Sequence, residues 1–354
     1  MNAVGAVSDG TAVITTTAGD AHHFKVTAAS STPKAGANDE ITVTAYDEAE
    51  NRATGYAGAK TLVFSGLADA ATGEKATVEA VPLGSDTTVN FTGGVSNSGA
   101  ATLIAYKAET ASLDAAEKGS TINSGSYGAV LTVAPGNPYT LTIIQQQPAN
   151  TDGTVDNPLQ QQPIINAKDQ YGNNCADGVN ITATLDTGTG TLLGGTTAAI
   201  AEGSGDATFT TLGYNKSGEI FKIKFTAEGG DTSATVVSDS IAALKAGNPS
   251  RLDIKAKPTI AYTYVNLNPQ PVVHIVDQYG NTVTDNGSAI SIEAYTADNF
   301  NGTKSEFNGT STVYATHNGL SISDPENPGT PTGVANFAGI KYNTINTTGI
   351  YLCA

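Results

Sequence analysis

The chain repeats itself at domain length. Three segments open alike: AGDAHHFKVTA from Ala18, APGNPYTLTII from Ala134 and KAGNPSRLDIKA from Lys245. Their glycines, Gly19, Gly136 and Gly247, stand 117 and 111 residues apart. That period is the size of one two-sheet sandwich. It predicts three domains of one kind, over residues 1–133, 134–244 and 245–354.

A second landmark follows each opening. It reads PIINAKDQYGNNCADG in the second copy and PVVHIVDQYGNTVTDNG in the third, with the weaker EITVTAYDEAENRATG in the first. The aspartates are Asp47, Asp169 and Asp277, and the closing asparagines are Asn51, Asn173 and Asn281. A third landmark is a glycine followed by a strand with an aromatic: SGAATLIAY, SGDATFTTLGY and TGVANFAGIKY.

Side chains of a strand alternate between faces. Val43, Ala45 and Asp47 therefore share a face, as do Ile165, Ala167 and Asp169, and Val273, Ile275 and Asp277. The opposite face is mixed in each copy. This is a half-buried antiparallel strand met three times. Short alternating runs between Gly, Asn and Asp turns predict an all-β chain with two packed antiparallel sheets per domain, joined end to end. Long helices are not expected. ASLDAAEKGS (Ala111–Ser120) has the composition of one helical turn, and Thr142–Pro163 reads as a strand start followed by a polar loop.

Composition narrows the setting. Charged residues are 14%, against about 25% in typical soluble domains, while hydrophobic residues reach 39% and allow each domain a core. The formal net charge of -16 works against nucleic acid and anionic membrane surfaces as partners. No stretch is long and apolar enough to be a bilayer-crossing helix. Cys175 and Cys353 fall in different copies, which argues against a disulfide within one domain, and Trp is absent.

The Asp-Gln-Tyr-Gly-Asn turns, Asp169 to Asn173 and Asp277 to Asn281, resemble the turn after the second strand in bacterial immunoglobulin-like repeats. Those repeats occur in invasin- and intimin-type adhesins, surface-layer proteins and other large envelope proteins. The first copy departs from the pattern, with Ala49 and Glu50 in place of Tyr and Gly. The resemblance covers nearly the whole chain. It implies tandem immunoglobulin-like β-sandwich domains and an extracellular place at a cell surface or envelope. Three roles stay open: a structural surface-layer or lattice protein, an adhesin stalk or carbohydrate-binding module, and non-catalytic accessory domains of a secreted enzyme. The partners to expect are further copies or neighbouring domains of a longer chain, a glycan, or a host receptor. Neither nucleic acid nor membrane insertion is expected.

The Asp turns invite two readings. In one, calcium is held by Asp169 and Asn173, and by Asp277 and Asn281, with Asp177 or Asp285 approaching across the loop. In the other, each Asp closes its own turn by accepting backbone N–H bonds, and Gly172 and Gly280 supply positive φ; this reading is simpler and is preferred. His22 and His23 are neighbours on a predicted strand, point to opposite faces, and make a poor zinc pair. No nucleophile elbow, zinc-protease helix or phosphate loop is present, so no catalytic residues are expected and the chain reads as a non-enzyme. Tyr295, Phe300, Phe307 and Tyr314 cluster in a long insert of the third copy and are candidates for a binding face. The third copy stops at GIYLCA, where the second runs on for about twenty residues after its matching glycine. The comparison predicts a third domain cut short.

Overall fold

The computed structural model describes residues 16–148, 152–176, 178–201, 203–230, 234–259, 265–284, 289–291, 293–295, 304–305, 307–308, 312–314, 316–317, 331–337, 341–342 and 351–353. Among the described residues the chain is all-β apart from one short 3-10 turn, built of packed antiparallel sheets. Apolar residues gather in three separate clusters: Phe24 to Val133, Leu141 to Leu244, and Leu267 to Phe337. The segments around these cores are called here the first, second and third units.

The first unit contains β1 (His23–Ala28), β2 (Asn38–Tyr46), β3 (Gly58–Ser65), β4 (Thr77–Val78), β5 (Val81–Pro82), β6 (Asp86–Thr92), β7 (Val95–Ser96), β8 (Thr102–Ile104), β9 (Thr110–Glu117) and β10 (Ala129–Thr132). Hydrogen bonding links them in one path, β10-β9-β3-β6-β7-β2-β8-β4-β5, with β1 on β2. The long strand β2 pairs with β8 through Asn38, Asp39 and Glu40 and with β7 at Thr44, so it serves both layers. Ala111–Ser120 is not a helical turn. It lies largely in β9, where Leu113 and Ala115 are buried at strand period.

The second unit contains β11 (Thr140–Gln145), β12 (Ile164–Lys168), β13 (Asn180–Thr187), β14 (Leu192–Leu193), β15 (Thr197–Ala199), β16 (Asp206–Thr208), β17 (Gly213–Tyr214), β18 (Lys222–Ala227) and β19 (Thr235–Val237). They form the sheets β11-β12-β16 and β15-β13-β18-β19 and the pair β14-β17. In the third unit β20 (Arg251–Ala256) pairs with β21 (Val272–Val276), which pairs in turn with Pro331–Asn336. The last two units repeat even in irregularity. The β11–β12 pair is bulged between Ile143 and Gln145, and the β20–β21 pair between Ile254 and Ala256.

The alternation read from sequence sets the cores. Val43, Ala45, Ile165, Ala167, Val273 and Ile275 are buried. At about 25 cal/mol per Å2 of apolar surface, such residues supply most of the drive to fold. Residues 152–163 are more structured than a polar loop, because Val155 and Leu159 anchor them in the second core.

Consecutive units are tied by a parallel bridge. Ala134 pairs with Lys34, and Lys245 pairs with Thr154. The hydrogen bonds match: Ala35 N–H to Ala134 O and Ala134 N–H to Pro33 O at the first tie, Val155 N–H to Lys245 O and Lys245 N–H to Gly153 O at the second. The residue that opens the next segment thus closes against an early segment of the sandwich it leaves, at both junctions.

Candidate functional site

The buried face of β2, β12 and β21 is followed in each unit by an aspartate. Asp47, Asp169 and Asp277 are 5%, 2% and 0% exposed. A buried carboxylate needs partners, and here they come from two landmarks of the sequence. The opening glycine donates its N–H to one carboxylate oxygen: Gly19 to Asp47 Oδ2 at 2.8 Å, Gly136 to Asp169 Oδ2 at 2.7 Å, and Gly247 to Asp277 Oδ2 at 2.9 Å. The turn donates to the other. Tyr171 and Asn173 N–H reach Asp169 Oδ1, and Tyr279 and Asn281 N–H reach Asp277 Oδ1, all at 2.9 Å. Ala49 and Asn51 N–H do the same at Asp47 Oδ1. The closing asparagine adds its side-chain amide, Asn173 Nδ2 to Asp169 Oδ2 at 2.8 Å and Asn281 Nδ2 to Asp277 Oδ2 at 2.9 Å.

The titration of two aspartates follows. Asp47 is held below the ordinary carboxylate range, chiefly by the Gly19 N–H. Burial pushes Asp277 up, but the N–H bonds from Gly247, Asn281 and Tyr279 together outweigh it, and its pKa is lowered.

Each turn needs a positive φ at its fourth residue. Gly172 is at 80° and Gly280 at 87°. The first turn reaches the same region with Glu50, at 62°. A side chain there costs about 1–2 kcal/mol. Glu50 gains local partners in return: Tyr127 Oη donates to its Oε1 at 3.1 Å, and His23 Nε2 lies 3.5 Å from its Oε2. His23 in turn stacks on Tyr46 and Tyr127.

The asparagines reach further than their own turns, which the sequence did not announce. Asn173 Nδ2 donates to Tyr106 O at 2.8 Å, and its Oδ1 accepts from Ala108 N–H at 2.9 Å. Tyr106 and Ala108 belong to the first unit. Asn281 Nδ2 donates to Asn215 O at 2.9 Å, and its Oδ1 accepts from Ser217 N–H at 3.1 Å. Asn215 and Ser217 belong to the second. The turn is therefore also the joint. Both acceptor segments carry a central lysine, Lys107 and Lys216, but the bonds are made by the backbone on either side of it, so the sequence carried no signal of the joint.

Asp177 and Asp285, and the side chains of Tyr295, Phe300, Phe307, Tyr314 and Cys353, lie outside the described residues. Among the described residues no group of three or more His, Cys, Asp or Glu side chains lies together as a metal would require. His22 and His23 meet edge-on, with ring centres 5.8 Å apart. Cys175 is buried and free, its thiol pushed up to about 11 by burial and by the charge of Asp169. No helix among the described residues is long and apolar enough to cross a membrane.

No family model matches the chain, and no curated protein matches it. Solved structures are similar to it. The Escherichia coli adhesin FdeC is 18% identical over 94% of this chain and 96% of that one, with a TM-score of 0.43. InvD of Yersinia pseudotuberculosis is 16% identical over 92% and 85%, with a TM-score of 0.38. The surface layer protein SbsC, domains 1–6, is 17% identical over 81% of this chain and 36% of that one, with a TM-score of 0.27. The likeness to adhesin, invasin-type and surface-layer structures is a likeness of fold.

Proposed function

We propose that this chain is an extracellular structural component of a microbial cell surface, a surface-layer or envelope lattice protein. In this reading it divides into sandwich domains at residues 133/134 and 244/245. The observation that carries the reading is the repeated joint. One arrangement of Gly, Asp and Asn closes a turn and binds the preceding sandwich, at both junctions, with the same donors and acceptors. A chain whose buried polar groups are spent on holding successive domains is suited to bearing shape. Asp169, Asn173, Asp277 and Asn281 serve as turn closers and joint residues, and calcium titration followed by calorimetry is the check on their use as a cation site. Electron microscopy of the native envelope tests the lattice. A periodic layer labelled by antibodies to this chain is expected, and scattered labelling without periodicity removes the reading.

A binding role has one observation in its favour. An open cleft of about 430 Å3 lies between the first two units, lined by Lys34, Asn137, Tyr139, Gln170 and Tyr171 among others. Aromatic rings beside amides suit a sugar. Glycan-array binding lost in Tyr139→Ala would support a carbohydrate-binding or adhesin role in place of a lattice role.

A further inference from the structure

We infer that the side chains of Asn173 and Asn281 are orientation locks between consecutive sandwiches, and that each lock closes without a cation. The inference deepens the structural reading above, and rests on it only for why a fixed orientation is useful.

A carboxamide carries two N–H donors and one carbonyl acceptor. At both joints all of these are used at once. One donor goes to the Asp of the turn, Asp169 or Asp277. The other goes to a backbone carbonyl of the preceding unit, Tyr106 or Asn215. The acceptor takes the N–H two residues further on, Ala108 or Ser217. The amide is planar and bound at both ends, so it fixes both the distance and the tilt of the neighbour's loop. A carboxylate at this position lacks the donor that the carbonyl needs, and an aliphatic residue lacks everything.

The same accounting bears on cations. Calcium takes six or more oxygens, several of them carboxylate. Here both oxygens of Asp169 and of Asp277 already accept two N–H bonds each. A cation would have to displace those donors, and no group of three or more His, Cys, Asp or Glu side chains stands at either Asp among the described residues. The bonds across the joint run between neutral groups, so salt screens them little.

Burial tracks the lock. Asn281 is 5% exposed and Asn173 is half-buried. Asn51, the matching residue of the first unit, is exposed. It keeps its bonds to Asp47, and none from it to another unit is present among the described residues. It is a control inside the same molecule.

The test uses the full chain, with spin labels carried on a noncanonical amino acid at exposed Thr88, Thr182 and Lys255 in successive units. Distances are measured by double electron–electron resonance, with a chelator and with millimolar calcium. Asn173→Ala is expected to widen the Thr88–Thr182 distribution by about twofold or more, since weakly held domains move freely, and to leave Thr182–Lys255 unchanged. Asn281→Ala should do the reverse, and Asn51→Ala should change neither. The unsubstituted chain should give the same distributions in chelator and in calcium. Unchanged widths in both joint variants, or broadening of the unsubstituted chain by the chelator, would overturn the inference. Amide exchange in the unsubstituted chain guards against a variant that fails to fold. In chelator, Ala108 and Ser217 N–H should exchange slowly. Exchange as fast as that of open loop amides would overturn the inference as well.

Discussion

The two joints share one amide lock and differ in what surrounds it. At the first, the Tyr171 ring crosses over, packs against the first core, and meets Tyr106 at 4.9 Å between ring centres. Thr72 Oγ1 donates to Tyr171 O at 3.1 Å. At the second, Tyr279 holds the same place in its turn yet is 38% exposed. The two joints also differ on their other side. Gly36 follows the bridging Lys34 by two residues, and its lack of a side chain leaves room for the Tyr171 hydroxyl, which a Cβ there would overlap. Asp156 stands two residues after the matching Thr154. Its carboxylate packs on Gly247 and accepts from Asn248 N–H and Gln278 Nε2. One joint is sealed by an aromatic ring and the other by an acid. The amide lock is the part common to both.

The strongest way to break this contrast is to exchange the two residues. Gly36→Asp places a side chain on the Tyr171 hydroxyl and an Asp at φ 80°. Overpacking and the left-handed backbone together should cost about 2–4 kcal/mol. Urea unfolding should show the loss, with the Tyr171 ring signals moving to solvent-exposed shifts in NMR spectra. Asp156→Gly is the converse. It should bury Tyr279 while changing stability by about 1 kcal/mol or less, because the new ring contact offsets the lost bonds. A Tyr279 ring that stays exposed in that variant would show that the acid is not what holds it out.

Next in size is the lock. Asn281→Ala leaves Ser217 N–H, Asn215 C=O and Asp277 each short of a partner, for an expected loss of about 1–3 kcal/mol. Asn51→Ala removes bonds only to Asp47, at an exposed position, and should cost about 0.5–1 kcal/mol. Equal losses in calorimetry would mean that the inter-unit bonds contribute nothing. Smaller again is the contrast between the tyrosines. Tyr171→Ala should cost about 1–2 kcal/mol from lost burial, and Tyr279→Ala less than about 0.5 kcal/mol.

Much of this molecule was legible in its sequence, for a physical reason. Strand period is a local property. It placed Val43, Ile165 and Val273 on buried faces, and it carried the aspartates that end those strands into the interior. The positive φ of Gly172 and Gly280 was legible in the same way, because few residues but glycine adopt it freely. Composition misled where it was read without period, as at Ala111–Ser120, whose alanines look helical and whose alternation is that of β9. The joint was not legible. Asn173 was marked as a landmark, but a bond from it to Tyr106, 67 residues away in sequence, leaves no mark on either segment. Val155 and Asp156 sit in a stretch polar enough to pass as a loop, although one anchors the second core and the other bonds Gln278, beside Tyr279. Contacts between units depend on pairs of positions that no single periodicity connects.

The last and smallest effect is acid sensitivity, and it separates a turn that only closes its own unit from one that also closes a joint. Asp47 and Asp277 both have lowered folded pKa values, set against a carboxyl near about 3.9 in the unfolded chain. A depressed carboxylate contributes stability that is complete above the unfolded value and is lost as pH falls through the folded one. Both turns should therefore weaken only below about pH 4, and neither should respond between about pH 5 and 8. The consequences differ by position. Protonating Asp277 puts a hydroxyl among N–H donors, removes the acceptor that orients the Asn281 amide, and should free Ser217 N–H to exchange. Protonating Asp47 should loosen the first unit and leave the exchange of Ser217 unchanged. In Asp277→Asn the acid response at Ser217 should vanish, with exchange already fast at neutral pH. Slow Ser217 exchange in that variant, persisting on acidification, would show that the joint does not depend on the carboxylate behind its amide.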